Sequence, residues 1–263
     1  MSQSLSMALI GHSGFVGGNL LRQAHFDASY RGSDIETIAG RSFDVVVCAG
    51  APAAKWIANA KPAEDMANLE RLMAALAQVQ AGRVVLLSTI DVLSDPNGAD
   101  EHTPFDPEAA SAYGRHRHRL ETFVQARFPT LTVRLPGLFG PGLKKNAVYD
   151  LLHGNQTEKI HADDQFQFYD LRRLWADLTR CEAAGLDLVH FATEPVRMRD
   201  VAKVAFGIDF DGYPPRDAVR YDFRTCHAGR LGGGGGYLYD RATVLADLAA
   251  FVASERGRVR EVA

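Results

Sequence analysis

Glycines stand at positions 11, 14 and 17, where a short apolar run, Met7 to Ile10, gives way to a helical apolar pattern at Val16, Leu20 and Leu21. Glycine lets a chain turn sharply off a strand, brings backbone N–H groups close to a bound group, and lets the next helix lie tight on the sheet. A helix N-terminus adds unpaired N–H groups and partial positive charge. The stretch Gly11-His12-Ser13-Gly14-Phe15-Val16-Gly17 therefore has the chemistry of a diphosphate cradle, and so of a nucleotide-cofactor site. Its spacing is G-x-x-G-x-x-G rather than the commoner G-x-G-x-x-G. Further along, Arg31-Gly-Ser-Asp34 follows a candidate second strand, where dinucleotide folds meet the adenosine ribose. Arg31 with Ser33 points to a 2′-phosphate and NADP, Asp34 points to NAD, and a plain solvated turn reads equally well. Small residues at Ala49-Gly50-Ala51 leave room for a cofactor over a strand end. The hydroxyls of Ser88 and Thr89 fall where ligands of parallel sheets collect. Lys144, Lys145 and Asn146 offer two ammonium groups and an amide for a phosphate or carboxylate, while the lysine pair also reads as merely solvated.

The elements that must position these groups alternate. Phe43 to Cys48 and Arg83 to Thr89 are dense apolar runs that read as buried parallel strands. His25 to Tyr30 is a short second strand, and Leu131 to Leu135 a further buried one. Between them, Pro62 to Leu76 has proline in its first turn, acids after it, and Met66, Leu69, Leu72, Met73 and Leu76 at helical spacing. Ser111 to Ala126 is a second helix, whose basic run Tyr113-Gly-Arg-His-Arg-His-Arg119 reads by itself as a solvated face. The β-α-β-α order implies an α/β fold with a doubly wound parallel sheet. Farther on, 187–192 reads as a strand and 198–206 as a helix. Gly232 to Gly236 reads as a flexible surface loop, and Tyr237 to Val252 as a closing helix.

The chain has 263 residues, 46% apolar and 23% charged, enough for one large domain or a core plus a small lobe. A formal charge of −3 argues against nucleic acid or an anionic membrane recognised by bulk charge. The three cysteines, Cys48, Cys181 and Cys226, lack ligand spacing, so reduced thiols and no metal are expected. No basic-then-apolar leader opens the sequence, and no apolar run nears the roughly 20 residues of a membrane span. The expectation is a soluble cytoplasmic protein with a small-molecule substrate and neither nucleic acid nor membrane as partner.

Four pieces in one order resemble the extended short-chain dehydrogenase/reductases, NAD(P)-dependent epimerases, dehydratases and reductases of nucleotide sugars. They are Gly11-His-Ser-Gly-Phe-Val-Gly17, Leu87-Ser-Thr-Ile-Asp-Val92, Tyr113-Gly-Arg-His-Arg117 and Arg134-Leu-Pro-Gly-Leu-Phe-Gly-Pro141. The resemblance implies a Rossmann core over residues 1–142, with 143–263 mostly a small substrate lobe and about 160–192 returning to the core. By position, Thr89 corresponds to the hydroxyl that binds the reacting carbonyl and Tyr113 to the general acid/base, with Ile90 and Asp91 beside the substrate. A phenol is a poor base at neutral pH unless a cation stabilises its phenolate. The family places a lysine four residues after the tyrosine, where it also bonds the nicotinamide ribose; here that residue is Arg117, which keeps the charge but not the shape. Leu135 and Pro136 fall in the floor beside nicotinamide, with Pro136-Gly137 where many relatives carry a diphosphate-binding asparagine. The resemblance implies NAD or NADP, with a lean to NADP, and a homodimer through helices like 62–78 and 111–126. Arg117 leaves a second reading open, a non-catalytic NAD(P)-binding sensor or scaffold. His116 and His118 rotate away from Tyr113 and are expected in solvent. Ser88 is expected on a backbone partner, and Gln165, Gln167 and Tyr169 in packing or strand pairing.

Overall fold

The structure, a computed structural model, describes residues 5–262, with side chains described through 257. The chain runs β1 (Met7–Ile10), α1 (Phe15–Leu20), β2 (Ala28–Tyr30), β3 (Ser42–Cys48), α2 (Lys55–Ala60), α3 (Pro62–Leu76), β4 (Gln80–Thr89), α4 (Ala112–Gln125) and β5 (Thr130–Leu135). There follow β6 (Gly137–Phe139), α5 (Ala147–His153), β7 (Gln165–Phe166), β8 (Phe168–Asp170), α6 (Leu174–Ala183) and β9 (Leu188–His190). The chain then continues through β10 (Val196–Arg197) and α7 (Met198–Val201) to α8 (Arg241–Val262). It folds as two units: residues 1–95, 103–135 and 175–189 make the first, and 96–102, 136–174 and 190–263 the second. The division thus falls at 135/136 rather than 142, and the returning stretch is 175–189 rather than 160–192.

In the first unit the sheet order is β2-β1-β3-β4-β5-β9, and the pairs β1/β2, β1/β3, β3/β4 and β4/β5 are all parallel. This is the Rossmann order without its outermost strand: among the described residues, a 3₁₀ turn at Ile35–Ile38 leads from β2 to β3. Strands of β-branched and aliphatic residues suit a sheet covered on both faces. Ile10, Val46, Leu86, Leu69, Leu72, Leu76, Leu120 and Val124 join strands, α3 and α4 in one core. Each such side chain contributes about 1.5–3 kcal/mol on burial. Because the strands are parallel, the ends at Ile10, Cys48, Thr89 and Leu135 lie along one edge, with the switch in chain direction between β1 and β3.

In the second unit β6 pairs with β8 in parallel and β7 with β10 antiparallel. Phe139, Phe168, Val196, Met198 and Val201 pack with Val244, Leu248, Phe251 and Val252 of α8. Gln167 is buried: its amide donates to Thr193 O and Phe223 O and accepts from Phe223 N, and Tyr169 is fully buried. The glycine run is not a loose loop. Gly233 N donates to Ala228 O at 2.8 Å, Gly234 and Tyr237 exchange bonds of 3.0 Å, and Gly236 O accepts from Thr225 N. These backbone bonds compensate the entropy that five glycines lose on ordering. The closing helix starts at Arg241, four residues later than its apolar pattern suggests. Among the described residues, no helix is long and apolar enough to cross a membrane.

Candidate active site

At the end of β1, Gly11 has φ +89° and donates its N–H to Tyr30 O at 2.7 Å. A Cβ here would come within 2.3 Å of Ala49 O, and one on Gly17 within 2.2 Å of Gly11 O. Gly14 is less constrained, with Gly11 O at 3.3 Å from its hypothetical Cβ. As N-cap of α1 it carries no side chain to bond the first-turn N–H groups, which suits an oxyanion beside His12, Ser13, Phe15 and Val16. The loop therefore fits the diphosphate of a dinucleotide, although α1 is only six residues long. At the ribose end, Arg31 N bonds Asp34 Oδ1 at 2.8 Å and its Nε lies 3.2 Å from Asp34 Oδ2. Both side chains are exposed, so this pair contributes little to stability and can rearrange around a ligand.

The β4 end carries Thr89, whose hydroxyl accepts from Asp91 N at 3.2 Å and lies 3.5 Å from Asp91 Oδ2. Tyr113 sits in the first turn of α4, 8% exposed, with its phenol beside the Thr89 side chain. Two contacts fix that turn. Tyr113 N donates to the Asn59 side chain of α2 at 3.0 Å. A Cβ on Gly114 would lie 2.1 Å from Asp91 O, so only glycine lets α4 approach the strand-end turn this closely. Lys55 Nζ, from α2, meets Asp91 Oδ1 at 2.7 Å. Burial pushes the Tyr113 phenol above its ordinary range and Asp91 adds to this; Arg117, Thr89 and Lys55 pull it back without cancelling it. The phenol thus stays protonated at neutral pH.

Arg117 lies one turn on from Tyr113, buried at 2% exposure, with its Cζ 4.1 Å from the centroid of the Tyr113 ring. Its terminal nitrogens are engaged elsewhere: Nη1 on Asp65 Oδ2, Nη2 on Asp65 Oδ1 at 2.9 Å and on Pro52 O. The expected reach to a ribose therefore differs from the geometry found, in which the fork grips a buried carboxylate and stacks on the ring face. His116 Nδ1 is 2.7 Å from Asp65 Oδ2 with the ring mostly buried, and His118 packs edge-on against Phe105 at 5.3 Å. Neither histidine is simply solvated, because Asp65 and Phe105 come from segments distant in sequence. Burial raises the Asp65 carboxyl, but the Arg117 and His116 hydrogen bonds outweigh this and hold it below the usual range.

Ser88 donates to Glu121 Oε1 at 2.5 Å rather than to backbone, and Glu121 also takes Arg134 at 2.7 Å, a buried pair that ties α4 to β5. Ile90 and Leu135 are buried among core side chains, Gly50 and Ala51 are half-buried, and Pro136 follows Leu135 directly in chain order. In the second unit Lys144 and Lys145 are exposed, whereas Asn146 is committed as a helix cap. Its Oδ1 accepts from Val148 N and Tyr149 N, and its Nδ2 donates to Leu138 O. Among the described residues one group, Glu101, Cys226 and His227, brings metal-type ligand atoms within 4.8 Å. Both Glu101 oxygens already accept protein donors, His190 N, Thr225 Oγ1 and Cys226 N, which is the geometry of a loop tether. Sequence reading missed Lys55, Asn59 and Asp65; of these only Asp65 left a trace, as an acid on the apolar side of α3.

The structure resembles solved nucleotide-sugar enzymes along its whole length. A UDP-N-acetylglucosamine 4-epimerase from Methanobrevibacter ruminantium M1 superposes with a TM-score of 0.74 at 13% identity, covering 97% of this chain and 99% of its own. The Pseudomonas aeruginosa protein RMD, complexed with NADPH, gives 0.73 at 17% over 96% and 99%. A dTDP-4-dehydrorhamnose reductase from Clostridium acetobutylicum gives 0.71 at 18% over 95% and 99%. No curated protein matches the sequence. The model of the NAD dependent epimerase/dehydratase family matches residues 25–169, which include Thr89, Tyr113 and Arg117 and exceed half of the chain. The chain belongs to the NAD-dependent epimerase/dehydratase family, within the extended short-chain dehydrogenase/reductases.

Proposed function

We propose that this protein oxidises or reduces a secondary alcohol or ketone of a sugar-like substrate, a nucleotide sugar, with NAD(P) as the redox partner. The observation that carries this reading is the buried Tyr113 phenol beside Thr89, at the same sheet edge as the Gly11–Gly17 loop. The nicotinamide ring, when bound, accepts or supplies the hydride. Thr89 orients the substrate oxygen, and Tyr113 gives that oxygen its proton in the reducing direction or takes it in the oxidising one. Arg117 keeps the ring in place from behind, its own charge balanced by Asp65. Gly11, Gly14 and Gly17 shape the diphosphate loop, and Ala49, Gly50 and Ala51 leave a low wall over the β3 end.

A phenol held in its protonated form suits the donor role, and favours reduction of a ketone near neutral pH. Arg31 favours NADP, as its exposed guanidinium could exchange Asp34 for a 2′-phosphate. Lys144 and Lys145 are candidates for the charged part of the substrate. A homodimer through α3 and α4 agrees with a shallow groove lined by Met66, Met73, His118 and Thr122. The test is a panel of nucleotide sugars and their keto forms with NADH and NADPH, run on wild type and Tyr113→Phe. Turnover that falls at least about 100-fold in the variant supports the assignment. Turnover unchanged in the variant overturns it, and cofactor binding without turnover on the panel favours the sensor reading that Arg117 invites.

A further inference from the structure

In this family-level chemistry a tyrosine needs positive charge nearby, yet the guanidinium of Arg117 lies over the ring face with both terminal nitrogens held by Asp65 and Pro52 O. A second cation stands on the other side. Lys55 reaches from the first turn of α2 to Asp91 at 2.7 Å, and the other Asp91 oxygen is 3.5 Å from the hydroxyl of Thr89, which lies beside Tyr113. Resting on the acid/base reading of Tyr113, we propose that Lys55 and Asp91 form a charge pair that tunes Tyr113, with Lys55 as a positioning residue that offsets Asp91 so the phenolate can form.

The physical case is one of charge balance in a half-buried place. Asp91 alone would repel a phenolate across Thr89, and its side chain is 22% exposed, so water screens it only in part. Lys55, 44% exposed, stays in contact with solvent while its ammonium caps the carboxylate. The groups facing Tyr113 come from three elements. They are Lys55 on α2, Thr89 and Asp91 at the end of β4 and the turn directly after it, and Arg117 on α4, backed by Asp65 and His116. Gly114 against Asp91 O and Asn59 on Tyr113 N hold those elements in register, so the pair cannot drift from the phenol without breaking the first turn of α4.

The experiment follows Tyr113 by carbon NMR of the full chain labelled at tyrosine Cζ, its signal identified by its loss in Tyr113→Phe. Circular dichroism at each pH marks the folded range. Lys55→Met is expected to raise the Tyr113 titration midpoint by about one unit, and Asp91→Asn to lower it by a similar amount. The double variant removes both charges and is expected to return the midpoint close to wild type, a rescue that a merely structural lysine would not give. If the phenol of the wild type titrates only outside the folded range, the comparison is made between Asp91→Asn and the double variant, whose midpoint is expected about one unit higher. Equal midpoints with and without Lys55 overturn the inference. Because the readout needs no substrate, that failure leaves the acid/base assignment standing, whereas turnover unaffected in Tyr113→Phe would sink the assignment whatever Lys55 does.

Discussion

Replacing Arg117 with methionine tests whether the guanidinium is chiefly a buried structural cation. The substitution keeps most of the volume but removes Nη1 and Nη2 from Asp65 and Nη2 from Pro52 O. Among the described residues, Asp65, with a side chain 4% exposed, then keeps only His116 as a side-chain partner. Removing one member of a buried ion pair costs about 3–5 kcal/mol, because the other charge stays desolvated. His116 can compensate part of this, so a loss of about 3 kcal/mol is expected, equivalent to a lower Tm by roughly 6–12 °C for a chain of this size. The assay is urea unfolding at neutral pH, read by circular dichroism, with the slope m compared to confirm that the midpoint shift reflects stability. The double variant Asp65→Asn with Arg117→Met no longer buries a lone charge and should recover at least half of the loss. A single-variant loss below about 0.5 kcal/mol, the range of ordinary surface changes, would refute the reasoning, as would a double variant no more stable than the single one.

Other expectations follow from the same geometry. Gly11→Ala should abolish NAD(P) binding and lower stability by about 2 kcal/mol or more, since alanine meets both the φ of +89° and Ala49 O at 2.3 Å, whereas Gly14→Ala should retain a folded, cofactor-binding chain. Fluorescence titration with NADH and NADPH distinguishes the two. Arg31→Ala should weaken NADPH more than NADH, and Asp34→Asn should do the opposite by freeing Arg31; equal effects on both cofactors would remove the case for NADP. The depressed Asp65 carboxyl makes its contribution to stability complete above the unfolded value near about 4 and lost as pH falls through the lower folded value. The wild type should therefore lose stability below about pH 4 more steeply than the Asp65→Asn, Arg117→Met double variant, measured by urea midpoints.

What the sequence made legible was local. Pro62 to Leu76 folds between the very bounds its proline, first-turn acids and apolar period indicate, because each of those signals acts within a turn or two. The strand ends at Ile10, Cys48 and Thr89 were equally readable, and parallel pairing then aligned them on one edge. The partners of Arg117 were not readable, since Asp65 lies 52 residues away and only packing of α3 against α4 brings them together. His116 looked solvated for the same reason. Asn146 invited a ligand role through its amide, yet that amide closes the start of α5. The glycine run was misjudged because composition reports the entropy cost of ordering and is silent on the backbone bonds that offset it. Lys55 carried no signal at all: an isolated lysine after a small-residue stretch resembles any surface lysine until Asp91 is seen beside it.

Residues 52–65 brace three groups of the proposed site without contributing a reacting atom: Pro52 O and Asp65 hold Arg117, Lys55 holds Asp91, and Asn59 holds the backbone of Tyr113. The Tyr113–Arg117 motif is therefore not a portable cassette. Grafted alone onto a related scaffold it would arrive with an unsatisfied guanidinium and an unanchored first turn. In a lineage of such proteins, substitutions at 117 and in 52–65 should be inherited together, so that arginine at the motif's last place and an acid at 65 rise and disappear as a pair.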